Sequence, residues 1–197
     1  GLYLRELGMS LGRTGCINVD EQTMQTSIPH IFAAGDVTAL NMTTASARAQ
    51  GIAAGTNAVN YPNLKKFTQP FKLNILATDP ELAMVGMTYE EVKQRAKSGQ
   101  SFVSSEIRLN DGFFRVTQNE GGLFRMYVDE ASHKILGSEI CMHDASHIAH
   151  MLAMAMSQEL TVEQVAALPY FNPSYESVLK KACEQATKTI ERKVIGL

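Results

Sequence analysis

The spacing of apolar positions changes several times along the chain, and each change marks a different kind of element. Two short runs, CINVD (16–20) and HIFAA (30–34), predict strands. Gly35 and Asp36 stop the second run, where the backbone must turn and a carboxylate can reach solvent or a ligand. Residues 43–59, TTASARAQGIAAGTNAV, lack proline and are rich in alanine, which predicts a helix despite Gly51 and Gly55. Thr43 or Thr44 would cap it. Large side chains are missing from every face of this helix, which implies close packing against a sheet or a ligand. The segment YPNLKKFTQP, with two prolines and a lysine pair, reads as a linker.

Beyond residue 70, NILAT and ELAMVG predict strands, and TYEEVKQRAK predicts a helix opened by a Thr88–Glu91 capping box. SFVSSEIRL alternates, and GGLFRMYVD followed by KILGSEICM predicts a hairpin turned at 130–133. Helices follow at 144–158, 162–168 and about 174–192; the first has apolar residues at 148, 151, 152 and 155. The fold class is α+β: a partial α/β segment over 1–67, then a domain over 68–197 with an antiparallel sheet and C-terminal helices.

Composition narrows the function. With 197 residues, 45% of them hydrophobic, the chain can bury a real core. Its 18 basic and 20 acidic residues are intermixed, with a net charge of −2, so nucleic acid is not an expected partner. No apolar run approaches the roughly 20 residues that span a bilayer, and no signal pattern opens the chain. A soluble, cytoplasmic protein without a membrane partner is therefore expected. Cys16, Cys141 and Cys183 are odd in number and far apart, which suits buried thiols better than a disulfide framework or a CxxC motif. The opening GLYLRELGMSLG reads like the interior of a longer chain, so a fragment is expected.

Chemistry concentrates at two places. A carboxylate such as Asp36 can accept hydrogen bonds from sugar-like hydroxyls, and free N–H groups at a nearby helix start can receive partial negative charge. Taken alone, an aspartate after a strand is more often a turn or cap residue. His143, His147 and His150 fall on one helical face, open either to a metal or to solvent and an interface. The ten methionines are core or interface filler.

The run TSIPHIFAAGDVT resembles the second flavin-binding motif of the pyridine nucleotide-disulfide oxidoreductases. The likeness continues in order through GCINVDEQTMQTSIPHIFAAGDV, ATDPELAMVGMTYEEV and KILGSEI, so it covers nearly the whole chain. The resemblance implies a homodimeric flavoenzyme that uses FAD and NAD or NADP. Residues 1–67 would belong to its FAD domain and 68–197 to its dimerisation domain. Asp36 would bond the ribityl chain of FAD, with Gly35 beside it in the cofactor site, and Thr44, Ala45, Ser46 and Ala47 would present backbone N–H groups to the flavin pyrimidine edge. Gly51 and Ala54 would allow that helix to pack closely.

The family's GxGxxG loops and CxxxxC pair are missing from this sequence, which the fragment reading explains, and the chain alone is expected to be inactive. Near the C-terminus the family carries a histidine, with a glutamate five positions later. Here FNPSYESVLKKA places Asn172 at the histidine, Ser177 at the glutamate and Glu176 one position early. An amide has no titratable proton near neutral pH. Asn172 and Glu176 are thus candidate but altered catalytic positions, with a turn before a helix capped by Ser174 as the plainer reading. The electron acceptor, small-molecule or protein-bound, stays open. A soluble transhydrogenase-like flavoprotein without a disulfide substrate and a stand-alone dimerisation module are the alternatives.

Overall fold

The computed structural model describes residues 2–69, 71–110, 112–119 and 121–195. The chain divides into two units, Gly1–Pro70 and Phe71–Leu197. The first is built around one helix, α1 (Thr44–Asn60), which buries Ala53 and Ala54 against Met24, with Phe32, Ala34 and Phe67 alongside. Asn57, also buried, ties α1 to its surroundings through all its polar atoms: its amide donates to the carbonyls of Thr23 and Lys65, and its carbonyl accepts from the Lys65 amide. Close packing is confined to this face. Gly51 and Gly55 are exposed, and a Cβ at either would meet nothing within 4 Å among the described residues.

The strands expected at 16–20 and 30–34 are absent as strands. They survive as single antiparallel bridges, Leu11 with Ile17, Val19 with Thr26 and Gln25 with Phe32. The cause is frequent reversal: Asp20 Oδ1 accepts from the amides of Gln22 and Thr23, which folds the chain back after one pair. No two extended stretches then run side by side long enough to form a ladder.

The second unit is one antiparallel sheet of β1 (Leu73–Leu76), β2 (Glu81–Gly86), β3 (Phe102–Leu109), β4 (Gly122–Asp129) and β5 (Ile135–Met142), in the order β1-β2-β5-β4-β3. Helix α2 (Tyr89–Lys97) follows β2 and opens with the Thr88–Glu91 capping box, as its sequence predicts. A short helix, α3 (Gly112–Val116), lies between β3 and β4. Helices α4 (Ala145–Ser157), α5 (Val162–Ala166) and α6 (Ser177–Val194) close the chain.

Helix α4 packs on β2 and β5, and α6 on β3 and β4. The core between them holds Phe124, Met126, Ile140, Met142, Ile148, Leu152, Leu179 and Cys183. Helix α4 has no side-chain cap of its own. Glu81 reaches from β2 to accept from the Ser146 amide at 2.8 Å, and that bond holds its carboxyl below the usual range. Gly137 has a different duty. A Cβ there would lie 2.1 Å from the Met87 carbonyl oxygen, so only glycine lets β5 pass the strand-to-helix turn.

Candidate functional site

In the first unit, Gly35 takes a positive φ of 80° and turns the chain into a single 3-10 turn, Asp36–Thr38. What holds this turn is Gln50, a fully buried residue one and a half turns into α1. Its side-chain carbonyl accepts from the Gly35 amide at 2.7 Å, and its amide donates to Ser46 Oγ at 3.1 Å. Thr38 Oγ1 donates back to the Gly35 carbonyl at 2.8 Å. The turn thus rests on the first two turns of α1, close enough that a Cβ on Gly35 would touch Ala47 Cβ at 3.5 Å.

Among the expected flavin contacts, Asp36, Thr44 and Ala45 are exposed, Gly35 and Ala47 are half-buried and Ser46 is buried. The helix start is already partly satisfied. Thr43 caps it by accepting from the Ser46 amide at 3.2 Å, and the Ala47 amide donates to the Thr43 carbonyl at 2.8 Å. The amides of Thr44 and Ala45 have no acceptor within the helix. An exposed carboxylate, two amides without an acceptor among the described residues and a braced glycine turn fit a polyol joined to an electron-poor ring. Sequence reasoning missed Gln50. Its signal was a large uncharged polar side chain inside an alanine-rich helix, three residues from the nearest proposed contact.

The altered catalytic positions lie in the second unit. Asn172 is exposed and Glu176 half-buried, and neither side chain has a hydrogen-bond partner among the described residues. Glu176 is the residue just before α6, whose start is fixed one turn earlier. Ser174 Oγ accepts from the Ser177 amide at 3.3 Å, and Ser177 Oγ donates to the Ser174 carbonyl at 2.7 Å. Between them, Tyr175 is locked in an aromatic cluster with Phe113 and Phe114 of α3 and with His143, its hydroxyl paired with Asn119. Tyr170 Oη donates to the Val165 carbonyl at 3.1 Å. Asn172 therefore sits on a loop anchored at both ends.

The histidines about the start of α4 do not converge on one point: two of them have contacts of their own. His143 Nε2 is 3.5 Å from Asp144 Oδ2, and His150 Nδ1 donates to the Ser146 carbonyl at 2.7 Å. Among the described residues, no group of three or more His, Cys, Asp or Glu could hold a metal ion. The cysteines are free, but only Cys183 is buried, and burial pushes its thiol up to about 12; Cys16 and Cys141 are half-exposed, contrary to expectation. No described helix is long and apolar enough to cross a membrane.

The sequence pattern of the pyridine nucleotide-disulphide oxidoreductase dimerisation domain matches residues 74–183, and that of a further pyridine nucleotide-disulphide oxidoreductase domain matches 1–51. Dihydrolipoyl dehydrogenase of Mycoplasma pneumoniae is 33% identical over 169 residues, covering 84% of this chain and 36% of that protein. Mercuric reductase of Shewanella putrefaciens is 27% identical over 168 residues, covering 84% of this chain and 29% of that protein. The chain spans about a third of the length of such curated relatives. In fold, it is similar to the HOCl-induced flavoprotein disulfide reductase RclA from Escherichia coli, with a TM-score of 0.74 at 20% identity over 93% of this chain and 41% of that one. The protein belongs to the pyridine nucleotide-disulphide oxidoreductase family.

Proposed function

We propose that this chain supplies part of the flavin site and the homodimer interface of an FAD-dependent oxidoreductase of the dihydrolipoyl dehydrogenase type. The enzyme passes electrons between NAD or NADP and a disulfide or another acceptor, residues 1–67 completing the FAD domain and 68–197 forming the dimerisation domain. One observation carries this reading: buried Gln50 clamps the Gly35 turn onto the start of α1, so that Asp36 and the free amides of Thr44 and Ala45 belong to one braced segment.

When bound, FAD supplies the two-electron redox chemistry. The chain's own residues bind and orient. The Asp36 carboxylate would accept from ribityl hydroxyls and so position the tail. The Thr44 and Ala45 amides, at the positive end of α1, would favour negative charge on the pyrimidine edge. Thr43 holds that helix end open by capping it from the side. Asn172 can donate or accept a hydrogen bond but cannot exchange a proton with a thiol at neutral pH. That property favours a second reading, a transhydrogenase-like flavoprotein that hands hydride to an acceptor without using a disulfide.

The test is Asp36→Ala in the complete flavoprotein. Losing charge-assisted hydrogen bonds to the ribityl chain should weaken FAD affinity on the order of 10- to 100-fold, read as a lower flavin-to-protein absorbance ratio after gel filtration. An unchanged ratio counts against the assignment.

A further inference from the structure

Helix α1 carries one charged side chain in its 17 residues, and it is a cation placed toward the end that disfavours one. Arg48 stands four residues after Thr44, in the second turn, where the positive end of the helix dipole opposes a positive charge. No acidic residue occupies the first turn. The positions three and four residues to either side of Arg48 are Ala45, Thr44, Gly51 and Ile52, so helical spacing supplies no carboxylate. Arg48 is exposed, and among the described residues it has no ion pair or hydrogen bond. Nothing in the stability of the helix itself calls for an arginine here.

Side chains on a helix tilt toward its N-terminus and cover the turn before their own. Thr44 lies about 6 Å back along the axis from Arg48, four rises of roughly 1.5 Å, which an extended arginine spans. The guanidinium is thus within reach of the face that holds Thr44 and Ala45, the two residues whose amides have no acceptor among the described residues. Gln50 holds the Asp36 turn against the same two turns of the helix. The start of α1 therefore gathers two unclaimed backbone N–H groups and one unclaimed cation. The sequence pattern matched over residues 1–51 includes all three.

We propose that Arg48 is a further residue of the flavin site, its guanidinium favouring the negative charge that the pyrimidine edge carries when the ring is reduced. The proposal rests on the flavin reading above and adds a side chain that lies outside the expected contacts. The amides offer partial charge fixed by the fold, whereas Arg48 adds a whole charge that no acid neutralises. The oxidised ring is neutral, so the cation discriminates between redox states: it makes reduction easier and leaves FAD retention nearly unchanged. Asp36 does the reverse, acting on the ribityl chain in either state. The two residues are therefore separable by measurement.

A charge series at this one position, made in the complete flavoprotein, tests the proposal. Arg48→Lys keeps the cation, Arg48→Gln removes it and Arg48→Glu reverses it; each protein is equilibrated with a redox dye of known potential and read from its flavin absorbance. Arg48→Gln should lower the equilibrium constant for reduction on the order of tenfold, about 30 mV for a two-electron couple, and Arg48→Glu on the order of a hundredfold, while Arg48→Lys stays within about threefold of the parent. The flavin-to-protein absorbance ratio after gel filtration should match the parent in all three. A residue that only packs would not give a shift ordered by charge. A potential indifferent to the charge at position 48, an Arg48→Lys shift as large as that of Arg48→Gln, or flavin lost from Arg48→Gln overturns the role of Arg48 and leaves the flavin reading intact. A complete parent protein that retains no FAD overturns both.

Discussion

Gln50 offers the most direct test of how the candidate flavin site is held. Replacing it with leucine keeps the side-chain volume nearly constant, so the effect reports lost hydrogen bonds rather than a cavity. Two good bonds disappear, from the Gly35 amide at 2.7 Å and to Ser46 Oγ at 3.1 Å, along with weaker contacts to Thr38 at 3.5 Å and Gln69 at 3.4 Å. Each good bond contributes about 1 kcal/mol net, and the wholly buried Ser46 hydroxyl loses a donor in a place water does not reach. The local cost is about 2–3 kcal/mol. Hydrogen–deuterium exchange resolves it: with tenfold for each 1.4 kcal/mol, amides of Gly35, Thr38 and the first turns of α1 should exchange roughly 30- to 150-fold faster. Amides of β4 serve as the internal reference. Exchange at Gly35 within about threefold of the parent would mean that Gln50 fills space without bracing the turn.

Two further substitutions probe the second unit. Gly137→Ala places a Cβ 2.1 Å from the Met87 carbonyl oxygen and 2.6 Å from its nitrogen, both backbone atoms that cannot swing aside, so a loss of about 3 kcal/mol or more is expected in thermal unfolding; an unchanged melting temperature refutes it. Asp129 gives a pH dependence. Burial raises its pKa, but hydrogen bonds from the Ser132 amide and hydroxyl and from Arg95 outweigh burial and hold the carboxyl below its ordinary 3.8. The folded state therefore favours the charged form, a contribution present above the unfolded-state value and lost as the pH falls through the folded one. Asp129→Asn should be clearly less stable than the parent near pH 6, with the difference shrinking below about pH 4; an equal difference at both ends rejects the assignment.

Local signals were legible in the sequence and long-range ones were not. The Thr43 cap, the Thr88–Glu91 box and the β4–β5 hairpin each depend on residues a few positions apart, and all appear where the spacing predicts them. Helix α3 was invisible because five residues give no periodicity, and it is held by Tyr175, some sixty positions away in sequence. The same tyrosine explains why α6 begins at Ser177 rather than near 174: residues 174–176 are committed to the aromatic anchor and to the Ser174–Ser177 bonds. The runs at 16–20 and 30–34 have strand-like composition but no neighbour in register, and composition alone cannot supply one. At the candidate site the exposed Asp36 was visible from its position after Gly35, whereas the clamp by Gln50 joins residues fifteen apart and required coordinates.

ELAMVG is apolar at four successive positions, 82 to 85, without the alternation expected of a strand in a one-sided sheet. In the structure Ala83 and Val85 face α4 and are buried, which accounts for half of the run. Leu82 and Met84 point the other way, where β1, β4 and β5 contribute Leu76, Leu123 and Cys141 at opposed positions. A strand that is apolar on both faces belongs to a sheet covered on both faces. Helices α4 and α6 cover one side of this unit; on the other, α2 reaches only one end, where Tyr89 stacks on buried Tyr127, and the rest combines aligned leucines with charges already paired among themselves. Solvent gains nothing from either. The run of four apolar residues therefore reports two neighbourhoods, the α4 core behind Ala83 and Val85 and a partly exposed leucine row beside Leu82 and Met84.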